Sequence, residues 1–254
     1  MHTILDVKDL TKNFYKNKQL FTAVNHISFQ LRQGECLGLV GESGCGKSTT
    51  VKMLTHLLKP DSGEILLEGT EIQHLKGKAL KKLYTEIQMV FQIPQDSFDP
   101  RRTLGDSIME SMRNHNVSRK EAQNRLGQLL QQVELPPELA DRYPNQVSGG
   151  QCQRAAMARA LAVNPKILIC DEATSALDVT VQAQIIELLK RLQQEMDLSI
   201  LLISHDLALV QHLCDRVIVM YQGNIVEQGT PDRVINAPEN DYTKMLIEAA
   251  MLGQ

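Results

Sequence analysis

The sequence predicts an α/β fold: a mainly parallel sheet covered by helices on both faces, with a block of helices inserted into it. Three observations point there. Short, wholly apolar runs have strand length; the stretches between them carry apolar residues at helical spacing; and helical patterns dominate from about residue 94 to 160. A strand buried on both faces reads as a continuous apolar run, and strands that alternate with helices pair in parallel. With 254 residues the chain can form one large domain or two small ones around a sizeable core.

The first third reads as strands. Residues 24–31 alternate, with Ile27, Phe29 and Leu31 on one face and His26, Ser28 and Gln30 on the other, the period of a half-buried strand. Gln33-Gly34-Glu35 turns the chain into Cys36-Leu37-Gly38-Leu39-Val40, a run suited to burial on both sides. After a glycine-rich loop, Val51, Leu54, Leu57 and Leu58 recur at helical spacing, and Lys59-Pro60-Asp61-Ser62-Gly63 ends that helix. Pro94 and Pro100 open the helical block, where Ser118-Arg119-Lys120-Glu121 is a capping-box sequence ahead of Leu126, Leu129, Leu130 and Val133. Residues 167–170, 200–203 and 217–220 are further buried-strand candidates. Between the first two of these, Val181, Ile185, Leu188, Leu189, Leu192 and Met196 mark the apolar face of a long helix.

Composition narrows the class. Apolar residues at 43% and charged residues at 22% are ordinary for a globular chain and exclude disorder. The 27 Lys and Arg against 30 Asp and Glu leave a net charge of −3, which advertises no nucleic-acid partner. The start lacks the basic-then-apolar layout of a secretory signal, and no apolar run approaches the roughly 18 residues that cross a bilayer, so a soluble, cytoplasmic chain is expected. Five cysteines form no C-x-x-C pair and suggest neither a zinc site nor a disulfide framework.

Three motifs carry chemistry. Gly41-Glu42-Ser43-Gly44-Cys45-Gly46-Lys47-Ser48 matches G-x-x-x-x-G-K-[ST] between a buried strand and an amphipathic helix. Glycines let the backbone curl its N–H groups around phosphate oxygens, and the following helix adds the positive end of its dipole. Lys47 is placed to reach β- and γ-phosphates, the Ser48 hydroxyl to ligate Mg²⁺, and Thr49 to contact the α-phosphate. Second, Ile167-Leu168-Ile169-Cys170-Asp171-Glu172 is an apolar strand ending in two carboxylates at the sheet edge where such folds bind ligands. Asp171 suits Mg²⁺, and Glu172 suits a base that orients or deprotonates the attacking water. Third, Ser148-Gly149-Gly150-Gln151 is a capping box with two glycines in the first helical turn. They cost about 1 kcal/mol each relative to alanine, a cost that makes sense if an anion must approach bare backbone there.

The order of phosphate loop, S-G-G-Q, apolar strand with Asp-Glu, then His, resembles the ATPase subunits of ATP-binding cassette (ABC) transporters over nearly the whole chain. The resemblance implies a P-loop NTPase (RecA-like) core with an N-terminal antiparallel β subdomain and an inserted α-helical subdomain. It assigns residues 1–93 and 160–230 to the core with its β subdomain, 94–159 to the helical subdomain, and 231–254 to a helical tail. It implies ATP and Mg²⁺ as ligands, with Lys47, Gln92, Glu172 and His205 as the catalytic set and Ser48, Gln92 and Asp171 around the metal. Gln92 resembles the Q-loop glutamine, and Ser175-Ala176-Leu177-Asp178 the D-loop, although Asp178 also suits a plain N-cap. Phe14 matches the adenine-stacking aromatic, with Tyr15 as rival.

Such cassettes pair head to tail, so that ATP lies between one phosphate loop and Ser148, Gly149, Gly150 and Gln151 of the other. The resemblance therefore implies a second cassette, identical or paralogous, integral membrane permease subunits, an extracytoplasmic solute-binding protein acting indirectly, and a peripheral position on the cytoplasmic face of the cell membrane. The stretch from Ile87 to Thr103 and the end, Pro238-Glu239-Asn240-Asp241-Tyr242-Thr243-Lys244-Met245-Leu246, look like oligopeptide, dipeptide and nickel importers. Ile93 stands where that group usually has Asp, Asp241 where it has Pro, and Val147 where the wider family has Leu. Compactness tilts the expectation toward nickel or a metal chelate. A soluble ATPase of the iron–sulfur assembly type is the alternative.

Overall fold

The apolar run at Cys36–Val40 is a strand, β3, buried at every position, and the sheet around it carries the phosphate loop. The computed structural model describes residues 2–16, 19–115, 117–172 and 178–252. The chain packs as two units, residues 1–84 with 199–254 and residues 85–198.

In the first unit, β3 lies between two parallel neighbours, β8 (Ser199–Ile203) and β9 (Arg216–Tyr221), while β10 (Asn224–Gly229) closes the edge antiparallel to β9. The start of β3 is pinned by polar contacts: the Cys36 N–H donates to Asp215 at 2.8 Å, and buried Glu35 pairs with Arg216 at 3.0 Å. A second, antiparallel sheet has the order β2 (Gln19–Arg32), β1 (Thr3–Lys16), β4 (Ser62–Leu67), β5 (Thr70–Glu71). Residues 27–31 of β2 bury Ile27, Phe29 and Leu31 and expose Ser28 and Gln30, as the alternation predicts. Helices α1 (Lys47–Leu54), α7 (Leu207–Leu213), α8 (Pro231–Asn236) and α9 (Asp241–Leu252) complete this unit; α2 (Gly77–Glu86) leads out of it.

Helix α1 is one turn shorter than its apolar spacing suggests. His56 adopts φ 59°, the Leu57 N–H reaches back to the Lys52 carbonyl at 2.8 Å, and the His56 N–H to Met53 at 3.1 Å. This left-handed C-terminal stop satisfies the last carbonyls and leaves Leu57 63% exposed, outside the helix.

In the second unit, β6 (Ile87–Val90) and β7 (Ile167–Asp171) run parallel in register from Ile87 opposite Ile167 to Val90 opposite Cys170. Around them stand α3 (Leu104–Arg113), α4 (Arg119–Gln132), α5 (Gly149–Leu161) and α6 (Val179–Met196). Ser118 caps α4, accepting the Glu121 N–H at 3.3 Å. Helix α6 buries Ile185, Ile186, Leu188, Leu189 and Leu192. Glu134, just past α4, takes Arg154 of α5 on one oxygen at 2.8 Å and Arg191 of α6 on the other, tying three helices at one carboxylate.

Candidate functional site

The loop between β3 and α1 is shaped by glycines that nothing else can replace. A Cβ on Gly41 (φ 146°) would lie 2.2 Å from the Met220 carbonyl oxygen, and one on Gly46 (φ 115°) 2.5 Å from that of Ala23. Gly46 is also the N-cap of α1 and supplies no side-chain cap. The N–H groups of the first turn therefore lack both intrahelical acceptors and a local substitute, at the positive end of the helix dipole. Lys47 points into the same loop. Only 6% exposed, its Nζ donates to the carbonyls of Gly41 at 2.6 Å and Glu42 at 2.9 Å, with Cys45 Sγ at 3.7 Å. A buried ammonium held by neutral acceptors is costly until an anion joins it. Amides, dipole and lysine together make an anion site suited to a polyphosphate. Ser48 is exposed beside it.

A cavity of about 490 Å³ opens over this loop, lined by residues Glu42 to Cys45 and by Phe21, Thr22, Tyr221 and Gln222. The sequence pointed to Phe14 or Tyr15 here and missed Phe21. Phe14 pairs directly with Phe21 across β1 and β2, whereas Tyr15 pairs with Leu20. Opposed residues share a face and successive residues alternate, so Phe14 stands beside the cavity-lining Phe21 and Tyr15 lies on the opposite face. An aromatic seven residues after Phe14, in the next run of strand-like residues, was the available signal.

His205 follows β8 and is exposed. Its turn is fixed on both sides: Ser204 Oγ accepts the Asp206 N–H at 2.9 Å, and Asp206 caps α7 through the Leu209 N–H at 3.1 Å. Leu39 of β3 pairs with Ile203 of the parallel β8, so His205 and the phosphate loop leave the sheet at the same edge.

The second unit has its own cluster. Gln92 and Glu172 each stand two residues beyond the paired positions Val90 and Cys170, so parallel strands bring Gln92, Asp171 and Glu172 to one edge. Glu172 adopts φ 47°, an uncommon backbone for a long side chain and one that turns the chain sharply at the strand end. Phe91 and Ile93, flanking Gln92, are 42% and 49% exposed. Beyond them the Arg101 guanidinium holds the Asp99 carboxyl down at about 2, and Arg159 packs over the Phe98 ring while donating to the Ser97 carbonyl.

At the start of α5 the capping box is complete: Ser148 Oγ accepts the Gln151 N–H at 3.2 Å, and Gln151 Oε1 accepts the Ser148 N–H at 2.9 Å. A Cβ on Gly150 would lie 2.5 Å from Val181 Cγ1 of α6, so helix packing supplies a second reason for that glycine beside the expected approach of an anion. Asp178 is the N-cap of α6, accepting the Val181 N–H at 3.0 Å; Ser175, Ala176 and Leu177 lie outside the described residues. The oxygens expected around a metal, the Ser48 hydroxyl, Gln92 carboxamide and Asp171 carboxylate, are hard donors of the kind Mg²⁺ takes.

A glycine-shaped strand–loop–helix turn with a buried lysine at the helix start is the phosphate-binding element of the P-loop nucleotide-binding proteins. Residues 24–175 match the ABC transporter family, and the chain belongs to that family as one of its ATP-binding cassettes. It is 44% identical to the oligopeptide transport ATP-binding protein OppF of Salmonella typhimurium over 96% of this chain and 74% of that protein. It is 52% identical to the glutathione import ATP-binding protein GsiA of Pectobacterium atrosepticum over 89% of this chain, which spans only 37% of that relative. Among solved structures, the dimeric cassette MJ0796 bound to ADP and Pi superposes with a TM-score of 0.81 at 29% identity, over 89% of this chain and 98% of that one. These relatives are transporter cassettes, which disfavours the iron–sulfur assembly alternative. No described helix is long and apolar enough to cross a membrane.

Proposed function

We propose that this cassette hydrolyses ATP to power import of a peptide or peptide-like solute, working with integral permease subunits at the cytoplasmic face of a membrane. The buried, neutrally held Lys47 at an uncapped helix start carries the reading, because it makes an anion the missing partner of the loop. The names of the relatives favour peptides or glutathione over nickel.

In this mechanism Lys47 leaves its carbonyls for the β- and γ-phosphates, and the loop amides hold the remaining oxygens. Phe14 and Phe21 together offer the adenine a flat apolar surface. Ser48, Gln92 and Asp171 are the residues that would hold Mg²⁺, which would supply charge neutralisation at the phosphates. Glu172 takes the proton of the attacking water, and His205 contacts the γ-phosphate. A second cassette, identical or paralogous, presents Ser148, Gly149 and Gly150 at the start of its α5, with Asp178 at the shared interface. Loss of the γ-phosphate removes that grip and reopens the pair. Phe91 and Ile93 give the permease an apolar contact next to Gln92, so the hydrolysis state is felt at the membrane. A solute-binding protein outside the membrane acts only through the permeases.

The test is Glu172→Gln. ATP binding persists while turnover falls by roughly 10²- to 10⁴-fold, the range for loss of a general base. Undiminished hydrolysis would remove Glu172 from this role.

A further inference from the structure

The C-terminal tail reaches the phosphate loop. Tyr242, in the first turn of α9, is 8% exposed, its ring stacks on Tyr221 with centroids 4.0 Å apart, and its hydroxyl accepts the Glu42 N–H at 3.1 Å. Burial pushes the phenol above its ordinary range, so the hydroxyl stays neutral at physiological pH. The Glu42 carbonyl, meanwhile, accepts from Lys47 Nζ at 2.9 Å and from the Cys45 N–H at 3.3 Å. The peptide groups on either side of Glu42 are thus tied in opposite directions, outward to the tail and inward to the lysine.

The tail is itself anchored. Glu227 accepts the N–H groups of Glu239 at 2.9 Å and Asn240 at 3.1 Å, and Asn240 Oδ1 accepts the Tyr242 N–H at 2.9 Å. Tyr242 therefore passes the position of α9 to the loop, and Tyr221, against which it stacks, lines the cavity above.

We infer that Tyr242 is a positioning residue of the phosphate loop, fixing its curl before nucleotide arrives, so that docking of α9 sets the affinity for ATP. The inference rests on residues 41–48 being the nucleotide site. Amides that already converge lose little freedom when phosphate binds, and an amide released from its partner must be reordered at that moment.

Tyr242→Phe in the full chain removes the hydroxyl and keeps the ring. Three changes are expected together: faster hydrogen exchange at the Glu42 amide, an ATP dissociation constant raised about 3- to 10-fold, as for one lost hydrogen bond, and a KM for ATP raised alike at unchanged kcat. The thermal midpoint moves little, because the stack remains. Asn240→Ala, which uncaps α9 without touching the loop, shifts ATP affinity in the same direction by a smaller factor. Unchanged ATP affinity in Tyr242→Phe, with or without faster exchange, overturns the inference and makes the contact mere packing. Lys47→Ala in the same titration separates the two readings: if it too leaves ATP affinity intact, the nucleotide site is wrong and the inference falls with it.

Discussion

Helices α1 and α5 both begin on glycine-rich turns and both are proposed to meet the same triphosphate, yet their starts are finished in opposite ways. Helix α1 starts from Gly46 in a left-handed conformation, with no side-chain cap and a buried lysine as its first residue. Helix α5 starts from Ser148, whose side chain and N–H are both paired with Gln151 in a closed capping box. The first start keeps its hydrogen-bonding deficit for a ligand; the second repairs much of it internally. On the proposed reading, the open start binds phosphate by itself and the repaired one adds a grip that closes and releases. That difference suits a machine in which one surface holds ATP throughout while the other engages and lets go.

Several substitutions can break or sharpen this contrast. The largest effect belongs to α1: Lys47→Ala lowers ATP affinity at least about a hundredfold, since several charge-assisted contacts vanish together. Calorimetric titration checks it, and a small loss would erase the distinction between the two starts. At α5, Gly150→Ala drives a methyl into Val181 while gaining about 1 kcal/mol of helix propensity, a net loss of about 0–2 kcal/mol, and adding Val181→Ala turns that loss into a gain. Thermal unfolding of the single and double variants decides whether packing is a reason for that glycine. Ser148→Ala costs about 1 kcal/mol as a lost cap and leaves ATP affinity of the single chain unchanged.

The smallest effect is one of pH. Arg154 and Arg191 hold the Glu134 carboxyl below its ordinary value of 4.5. A lowered carboxyl contributes stability that is complete above that value and is lost as pH falls through the lowered one. Glu134→Gln should flatten the acid limb of the stability profile, and an unchanged limb would show that the three-helix tie contributes nothing there.

Where local rules and tertiary packing agree, the sequence was readable. The all-apolar run at residues 36–40 could only be a strand covered on both faces, and Ser148 with Gln151 is a reciprocal cap in the structure as in the pattern. Reading failed where a backbone turn overrode periodicity. Leu57 and Leu58 continue a helical stripe, but His56 turns left-handed and stops α1 before them. Strand β1 is interrupted by irregular register and by Asp9 at φ 51°, so its alternation does not announce its full length. Phe21 lines the cavity itself while Phe14 is only its partner across the strands, and a pairing register is not written in one strand. Gly150 shows a contact the motif could not: a valine on α6 lies where its Cβ would be, a packing reason that a local pattern does not carry. Tyr242 could be seen as part of a tail pattern, but its bond to Glu42 joins residues 200 apart in the chain.

The contrast between the two helix starts is tested most directly by following backbone amide signals of Glu172→Gln as Mg-ATP is added, first to the single chain and then at concentrations where cassettes pair. The account predicts shifts at residues 43–49 from the first additions, with those at 149–151 following only on pairing. Shifts at 149–151 in the single chain, or none at 43–49, would contradict it.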